Sequence, residues 1–194
     1  MTTFVKSPAP FIHLYDIGDV EPFLDALITA ADATASCDWR RATTGGPNGV
    51  FMHEVRTSLL LDLEYLLFLN QDSPLSELWT KLHTPIWDNL NHYCSQHDLK
   101  IKALEGWGIN RYEMGAEYHQ HPDKGAGNSR VLSVIVYLNS VEGGETVFPE
   151  WDAAIRPEPG RMLVFPSSYP WQHVALPPDE GAKYSLVTWF HNGN

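Results

Sequence analysis

The sequence predicts an α+β chain with a mainly β second half. Helical periodicity dominates the first hundred residues, short β-rich runs separated by turn residues fill the rest, and the two do not alternate as βαβ units would. A chain of 194 residues with 43% hydrophobic composition suits one domain with a substantial core. We read residues 1–194 as that domain, with 1–100 as a helical support region and 101–194 as the β core.

Each element has its own signal. Asp19 can cap a helix that carries Val20, Phe23, Leu24, Leu27 and Ile28 on one face. "TTGGPNG" at 43–49 reads as a loop, and its Gly-rich surroundings, residues 41–54, as a lid over a substrate. Ser73-Pro74 opens a second helix in which Leu75, Leu78, Trp79, Leu82, Ile86, Leu90 and Tyr93 recur at three- and four-residue steps. Pro85 lacks an N–H and is expected to kink or split it. From residue 101 the runs "INRYEM", "RVLSVIVYL", "GETVF", "AAIRP", "RMLVFP", "WQHVAL" and "KYSLVTWF" follow at the spacing of a β-sandwich or barrel.

Composition narrows the partners. A net charge of −11 and a pI near 5.1 argue against a nucleic-acid binder, because phosphates would be repelled, and favour small molecules or basic or neutral peptides. Two cysteines, Cys37 and Cys94, make no disulfide framework, and the N-terminus lacks the apolar run of a secretory signal, so a cytoplasmic location is expected. The longest apolar cluster, "LLLDLEYLLFL" at 59–69, is interrupted by Asp62 and Glu64 and is too short to span a bilayer; no membrane role is expected.

The stretch "EYHQHPD" at 117–123 concentrates metal-binding side chains. Alternate residues of a strand share a face, so His119, His121 and Asp123 would point the same way if the segment stayed extended, and Pro122 favours that. A further ligand must come from elsewhere, and His173 and His191 are the candidates. Two imidazoles and one carboxylate on one face of an octahedral iron leave three positions for an oxo-acid cosubstrate and O₂. A basic residue to anchor such a dicarboxylate is expected after the distal histidine, and Lys183 lies ten residues past His173.

These residues fall in a longer pattern. Tyr112, Gly115, Tyr118, His121 and Asp123 are followed by Arg130, "YLN" at 137–139 and "GGETVFP" at 143–149, then by Pro157, Gly160 and Phe165, and finally by His173, Lys183 and Trp189. From Glu105 to Trp189 this resembles the catalytic core of the 2-oxoglutarate and iron(II)-dependent dioxygenases, in their prolyl 4-hydroxylase-like branch. "EVRTS" at 54–58 resembles a segment that precedes that core.

The resemblance implies a double-stranded β-helix, or jelly roll, with the N-terminal helices packed outside. It implies Fe(II) held by His121, Asp123 and His173 as the catalytic centre. It assigns Lys183 to the far carboxylate of 2-oxoglutarate, aided by Tyr112, Thr146 and Ser185. The reaction implied is hydroxylation of a C–H bond by O₂, coupled to decarboxylation of 2-oxoglutarate to succinate and CO₂, with ascorbate as reductant. Tyr118, Arg130, Trp189 and Glu105 match positions that serve peptidyl proline, so the implied partner is a proline-containing peptide or protein. The same chemistry on a non-prolyl side chain or small molecule is the nearest alternative. A cupin-like metal protein would instead pair His119 and His121 with His173, but lacks the glutamate expected after H-x-H and leaves Lys183 without a role. A non-catalytic jelly-roll module predicts a broken triad, and the triad is intact.

Overall fold

The structure, a computed structural model, describes residues 3–33, 39–44, 52–125 and 127–192. The Gly-rich loop and Cys37 fall largely or wholly outside these, and so does the centre of the expected lid over 41–54. In chain order the elements are β1 (Phe4–Ala9), β2 (Ile12–Asp16), α1 (Glu21–Ala33), β3 (Arg40–Arg41), β4 (Leu59–Asp62), α2 (Leu63–Leu69) and α3 (Pro74–Gln96). There follow β5 (Ala103–Leu104), β6 (Gly108–Tyr112), β7 (Tyr118–His121), β8 (Arg130–Tyr137), β9 (Thr146–Phe148), β10 (Ala153–Ile155), β11 (Arg161–Pro166), β12 (His173–Ala175) and β13 (Lys183–His191). No described helix is long and apolar enough to cross a membrane.

The strands form two antiparallel sheets. The larger has the order β1-β2-β11-β8-β13-β6-β4-β3, with β5 on the end of β13; the smaller has the order β10-β9-β12-β7. All seven β-rich runs read from the second half become strands. The first hundred residues are not only a helical support: β1, β2 and β4 join the large sheet, beside β11 and β6. Those strands are too short, and in β1 too exposed, to leave a clear alternation in the sequence.

The period of two along each central strand separates the scaffold from the cavity. Leu132, Val134 and Val136 of β8, Leu186 and Phe190 of β13, and Met162 and Val164 of β11 pack outward against Phe23 and Leu27 of α1 and Leu82, Ile86 and Leu90 of α3. The intervening residues face the small sheet: Leu163, Phe165 and Tyr137 meet Phe148, Ala153 and Ile155. With both faces covered, these strands read as nearly continuous apolar runs, and the few polar residues among them stand out.

Pro85 lies inside α3, which nevertheless runs unbroken over 23 residues. A proline in a helix costs about 3 kcal/mol. Burial of a large apolar side chain stabilises by roughly 1.5–3 kcal/mol, and Leu75, Leu82, Ile86, Leu90 and Tyr93 are all buried on the sheet-facing stripe, which outweighs the cost. Asp19 supports the start of α1 as expected, its Oδ1 accepting from the Glu21 amide at 3.0 Å.

Candidate active site

His121 ends β7 and His173 begins β12, and the two are direct partners across this antiparallel pair. The pairing then slips: Ala175, two residues along β12, stands opposite Tyr118, three residues back on β7. One extra residue in β7 is a β-bulge, and it breaks the alternation that would have put His119 beside His121. Tyr118 instead stacks on His121, with centroids 3.4 Å apart and rings inclined by 16°. His119 is turned out, its side chain half exposed and its Nε2 3.1 Å from Glu117 Oε1.

The result is a cluster of His121, Asp123 and His173 whose ligating atoms all lie within 4.8 Å of one another. His121 Nε2 is 3.7 Å from Asp123 Oδ1, and His173 Nε2 is 3.9 Å from Asp123 Oδ2. Two ligands of one ion, at bonds of about 2.1 Å, lie no more than about 4.2 Å apart, so both histidine–aspartate separations fit a shared ion, and the cluster's full spread of 4.8 Å would contract slightly on binding one. The backbone sets the tautomers: His121 Nδ1 donates to the His119 carbonyl at 2.7 Å and His173 Nδ1 approaches the Trp171 carbonyl at 3.5 Å, which turns both Nε2 atoms inward. Ser133 Oγ donates to Asp123 Oδ2 at 2.6 Å and takes its own bond from Ser167 at 2.8 Å.

Charge state favours a metal as well. Burial by itself would raise the Asp123 carboxyl, but the His173 and His121 imidazoles and the Ser133 hydroxyl hold it far below the usual carboxylate range. Burial, then the neighbouring His121, lowers His173 to about 4. At neutral pH the buried histidine is therefore neutral and the carboxylate ionised, which are the forms that ligate a metal. Two imidazoles and one carboxylate fit Fe(II), and Asp123, His121 and His173 are the residues that would hold it.

A cavity of about 380 Å³ opens from this cluster toward the large sheet. Lys183, Ser185, Val187 and Trp189 line it from one face of β13, and Asn110 and Tyr112 from β6. Lys183 is 2% exposed. Its Nζ donates to the Gly144 carbonyl at 2.7 Å and lies 4.4 Å from the centre of the Tyr112 ring. Gly144 has φ +71, and a side chain there would crowd Val141 and the Lys183 chain, so "GGET" needs glycine where the backbone meets the amine. Burial lowers Lys183 to about 7, with Glu145 opposing the fall. A buried amine with one backbone acceptor is an anchor prepared for an anion. Thr146, across the cavity on β9, accepts from the Tyr137 hydroxyl at 2.7 Å, so its own proton is directed to another acceptor.

The remaining predicted residues form a third group in the same cavity. Arg130 donates from Nε to Glu105 Oε1 at 2.7 Å and from Nη2 to Oε2, and its guanidinium lies 3.8 Å from the centre of the Trp189 ring. Arg130 Nη1 also reaches the Asp123 carbonyl at 3.3 Å, tying this group to the loop that carries the metal-binding carboxylate. Tyr118 faces the cavity, its hydroxyl raised to about 12 by burial.

All eleven predicted positions thus line or adjoin one cavity, while His119 stands apart, which removes the cupin-like reading of His119, His121 and His173. His191, the other candidate third ligand, instead places Nε2 2.8 Å from Glu105 Oε1. Other residues were not singled out by sequence. Arg56 is 7% exposed, donates to Ser58 Oγ, the Thr43 carbonyl and Asn110 Oδ1, and lies 4.6 Å from the centre of the Tyr118 ring. Its signal was the "EVRTS" segment. The signal for Ser133 was a lone hydroxyl within the apolar run of β8.

Comparison with known proteins agrees with this geometry. Residues 107–191 match the family model described as the 2OG-Fe(II) oxygenase superfamily. Prolyl 4-hydroxylase subunit alpha-2 of Gallus gallus is 32% identical over 111 residues, covering 48% of this chain and 21% of that protein. The chain spans between 21% and 51% of the length of the first curated relatives it matches. A Pseudomonas putida prolyl-4-hydroxylase structure superposes with a TM-score of 0.66 at 18% identity, over 95% of this chain and 94% of that one. A prolyl hydroxylase from Trichoplax adhaerens, solved with a hypoxia inducible factor oxygen degradation domain peptide fragment, gives 0.70 at 17% identity, over 93% and 83%. These structures show the double-stranded β-helix fold. Residues 107–191, which carry the His121, Asp123 and His173 cluster, are thus similar to the 2OG-Fe(II) oxygenase superfamily, and the relatives named above are prolyl 4-hydroxylases.

Proposed function

We propose that the protein is an Fe(II)- and 2-oxoglutarate-dependent dioxygenase that hydroxylates a proline of a peptide or protein, at the 4-position. The observation that carries this is one cavity with two chemically distinct ends: the His121, Asp123 and His173 cluster, and the buried Lys183 amine. Bound iron would supply activation of O₂, coupled to decarboxylation of 2-oxoglutarate to succinate and CO₂. The chain's own part is to bind, orient and exclude water. Lys183 pairs with the far carboxylate of 2-oxoglutarate, and Tyr112, Thr146 and Ser185, all buried around it, orient that group with hydroxyl donors.

Two observations support proline. Glu105 balances the charge of Arg130, and the guanidinium lies 3.8 Å from the centre of the Trp189 ring, so this wall combines an aromatic surface with little net charge. Such a wall suits an uncharged pyrrolidine ring better than an ionised metabolite. The net charge of −11 suits a basic or neutral peptide. The homologues are named prolyl 4-hydroxylases, and the Trichoplax adhaerens protein was solved with a peptide.

The test is to incubate the purified protein with Fe(II), 2-oxoglutarate, ascorbate and a panel of proline-containing peptides, and to follow succinate and peptide mass. Iron-dependent succinate with a gain of one oxygen on proline is the expected result. Turnover with small metabolites but never with peptides would overturn the prolyl assignment, and no iron-dependent turnover of 2-oxoglutarate would overturn the oxygenase itself.

A further inference from the structure

On the opposite side of the large sheet from the cavity, three histidines come together from distant parts of the chain. His13 lies on β2, and His92 and His97 lie in and just after the last turn of α3. His13 Nε2 is 3.2 Å from His97 Nε2, and the other nitrogen of His13, Nδ1, is 3.2 Å from the Tyr15 hydroxyl. That hydroxyl is in turn 3.2 Å from His92 Nδ1. Tyr93 packs on both His13 and His97, with centroids 4.9 and 4.5 Å away, and Phe11 covers His97 from the hairpin turn at 4.9 Å.

From this geometry we propose a second metal site, at His13 and His97, for a borderline divalent transition ion such as Cu²⁺ or Zn²⁺. Two neutral imidazoles cannot both donate across the 3.2 Å gap, so one Nε2 must act as acceptor toward the other. A straight N–H···N bond would set the rings end to end. Here the centroids are only 4.8 Å apart, 1.6 Å more than the nitrogens, so the two ring axes meet at an angle. An ion about 2.1 Å from both nitrogens at this separation would be subtended at about 100°, an ordinary angle between neighbouring ligands.

The surroundings are those of a ligand pair. The Tyr15 contact occupies His13 Nδ1 and orients Nε2 outward, as partners of metal-bound histidines do. Tyr93 donates its hydroxyl to the Phe11 carbonyl at 2.9 Å, which ties the β1–β2 turn to α3 and preorganises both rings. The histidines are partly buried, and the chain carries a net charge of −11, so a cation can enter and is favoured. No carboxylate or third imidazole completes the set among the described residues, so the remaining positions fall to water or an added ligand, and the ion staples β2 to the end of α3. The proposal is independent of the catalytic reading.

The test uses untagged His121→Ala/Asp123→Ala protein, in which the other metal cluster is disabled, after circular dichroism has established its fold. Titration calorimetry with Cu²⁺ is expected to show one equivalent bound, and its electron paramagnetic resonance spectrum two coordinated nitrogens of imidazole type. Adding His97→Ala is expected to weaken binding at least about tenfold. Adding His97→Gln, which keeps a polar contact and the packing volume but removes the imidazole, is expected to weaken it as much. Affinity unchanged in either variant, or a spectrum with no paired imidazoles, would overturn the site. Zn²⁺ should raise the melting temperature of the double variant and leave that of the His97→Gln variant unmoved; an equal rise in both would count against the staple.

Discussion

Tyr118 lies face to face with His121, centroids 3.4 Å apart, although residues three apart on a regular strand point to opposite faces. The bulge in β7 makes this possible, and it turns His119 away from the cluster while His121, the histidine that the resemblance placed on the metal, stays in it. Substitution of His119 by alanine is therefore expected to leave iron affinity and 2-oxoglutarate turnover within about twofold. Substitution of His121 is expected to abolish both. Equilibrium dialysis against Fe(II) under anaerobic conditions compares them directly, and loss of iron in the His119 variant would contradict the geometry.

Ser133 holds the second oxygen of the Asp123 carboxylate at 2.6 Å. Groups that orient metal ligands contribute about 10–100-fold to affinity. The Ser133→Ala variant should thus fold normally and bind iron about tenfold more weakly, with saturating iron restoring most of the turnover. An unchanged iron titration would show that Ser167 and the backbone suffice to orient the carboxylate.

Lys183 makes a pH prediction with a definite sign. Burial lowers its amine to about 7 in the free protein, and a carboxylate partner would raise it, so the complex with 2-oxoglutarate binds more protons than the free protein above that pH. Affinity for 2-oxoglutarate should be full below about pH 7 and fall as pH rises from there toward 9. Lys183→Arg, charged throughout this range, should flatten the profile even if it binds less well. Lys183→Ala should raise the KM for 2-oxoglutarate by about a hundredfold, with a smaller effect on the KM for peptide. Calorimetric titrations at pH 6.5, 7.5 and 8.5 would test the slope, and a wild-type affinity that rises over the series would refute the assignment.

Arg130 and Glu105 are paired where little water reaches, their side chains 8% and 15% exposed. Deleting one partner of a buried pair leaves the other charge uncompensated and costs about 3 kcal/mol, whereas replacing both by apolar residues costs far less. Glu105→Ala should lower urea stability by about that amount, and Glu105→Leu/Arg130→Met should recover most of it. If the double variant is stable but turns over 2-oxoglutarate without hydroxylating peptide, the pair serves the substrate as well as the fold.

The strands of the second half were legible because β8, β11 and β13 are long, apolar and separated by glycine and proline turns. Lys183 was legible because a basic residue is expected after the distal histidine and this lysine lies ten residues past His173. The N-terminal strands were not. β1 is exposed along most of its length and β4 has four residues, so neither shows a period, and only pairing with β2, β11 and β6 made them strands. Arg56 gave no signal beyond its place in "EVRTS", since an arginine is ordinarily a surface residue until Asn110, Ser58 and Tyr118 close around it.

The sequence by itself determined the metal-binding residue types, their order and the lysine that follows them, since these depend on identity and spacing. Tertiary structure decided how His119, two residues from His121, is turned out of the cluster, because a bulge of one residue reverses facing and is set by pairing across β7 and β12. It also decided that His13 meets His97, 84 residues away, because only the packing of α3 on the β1–β2 hairpin brings those two nitrogens to one point.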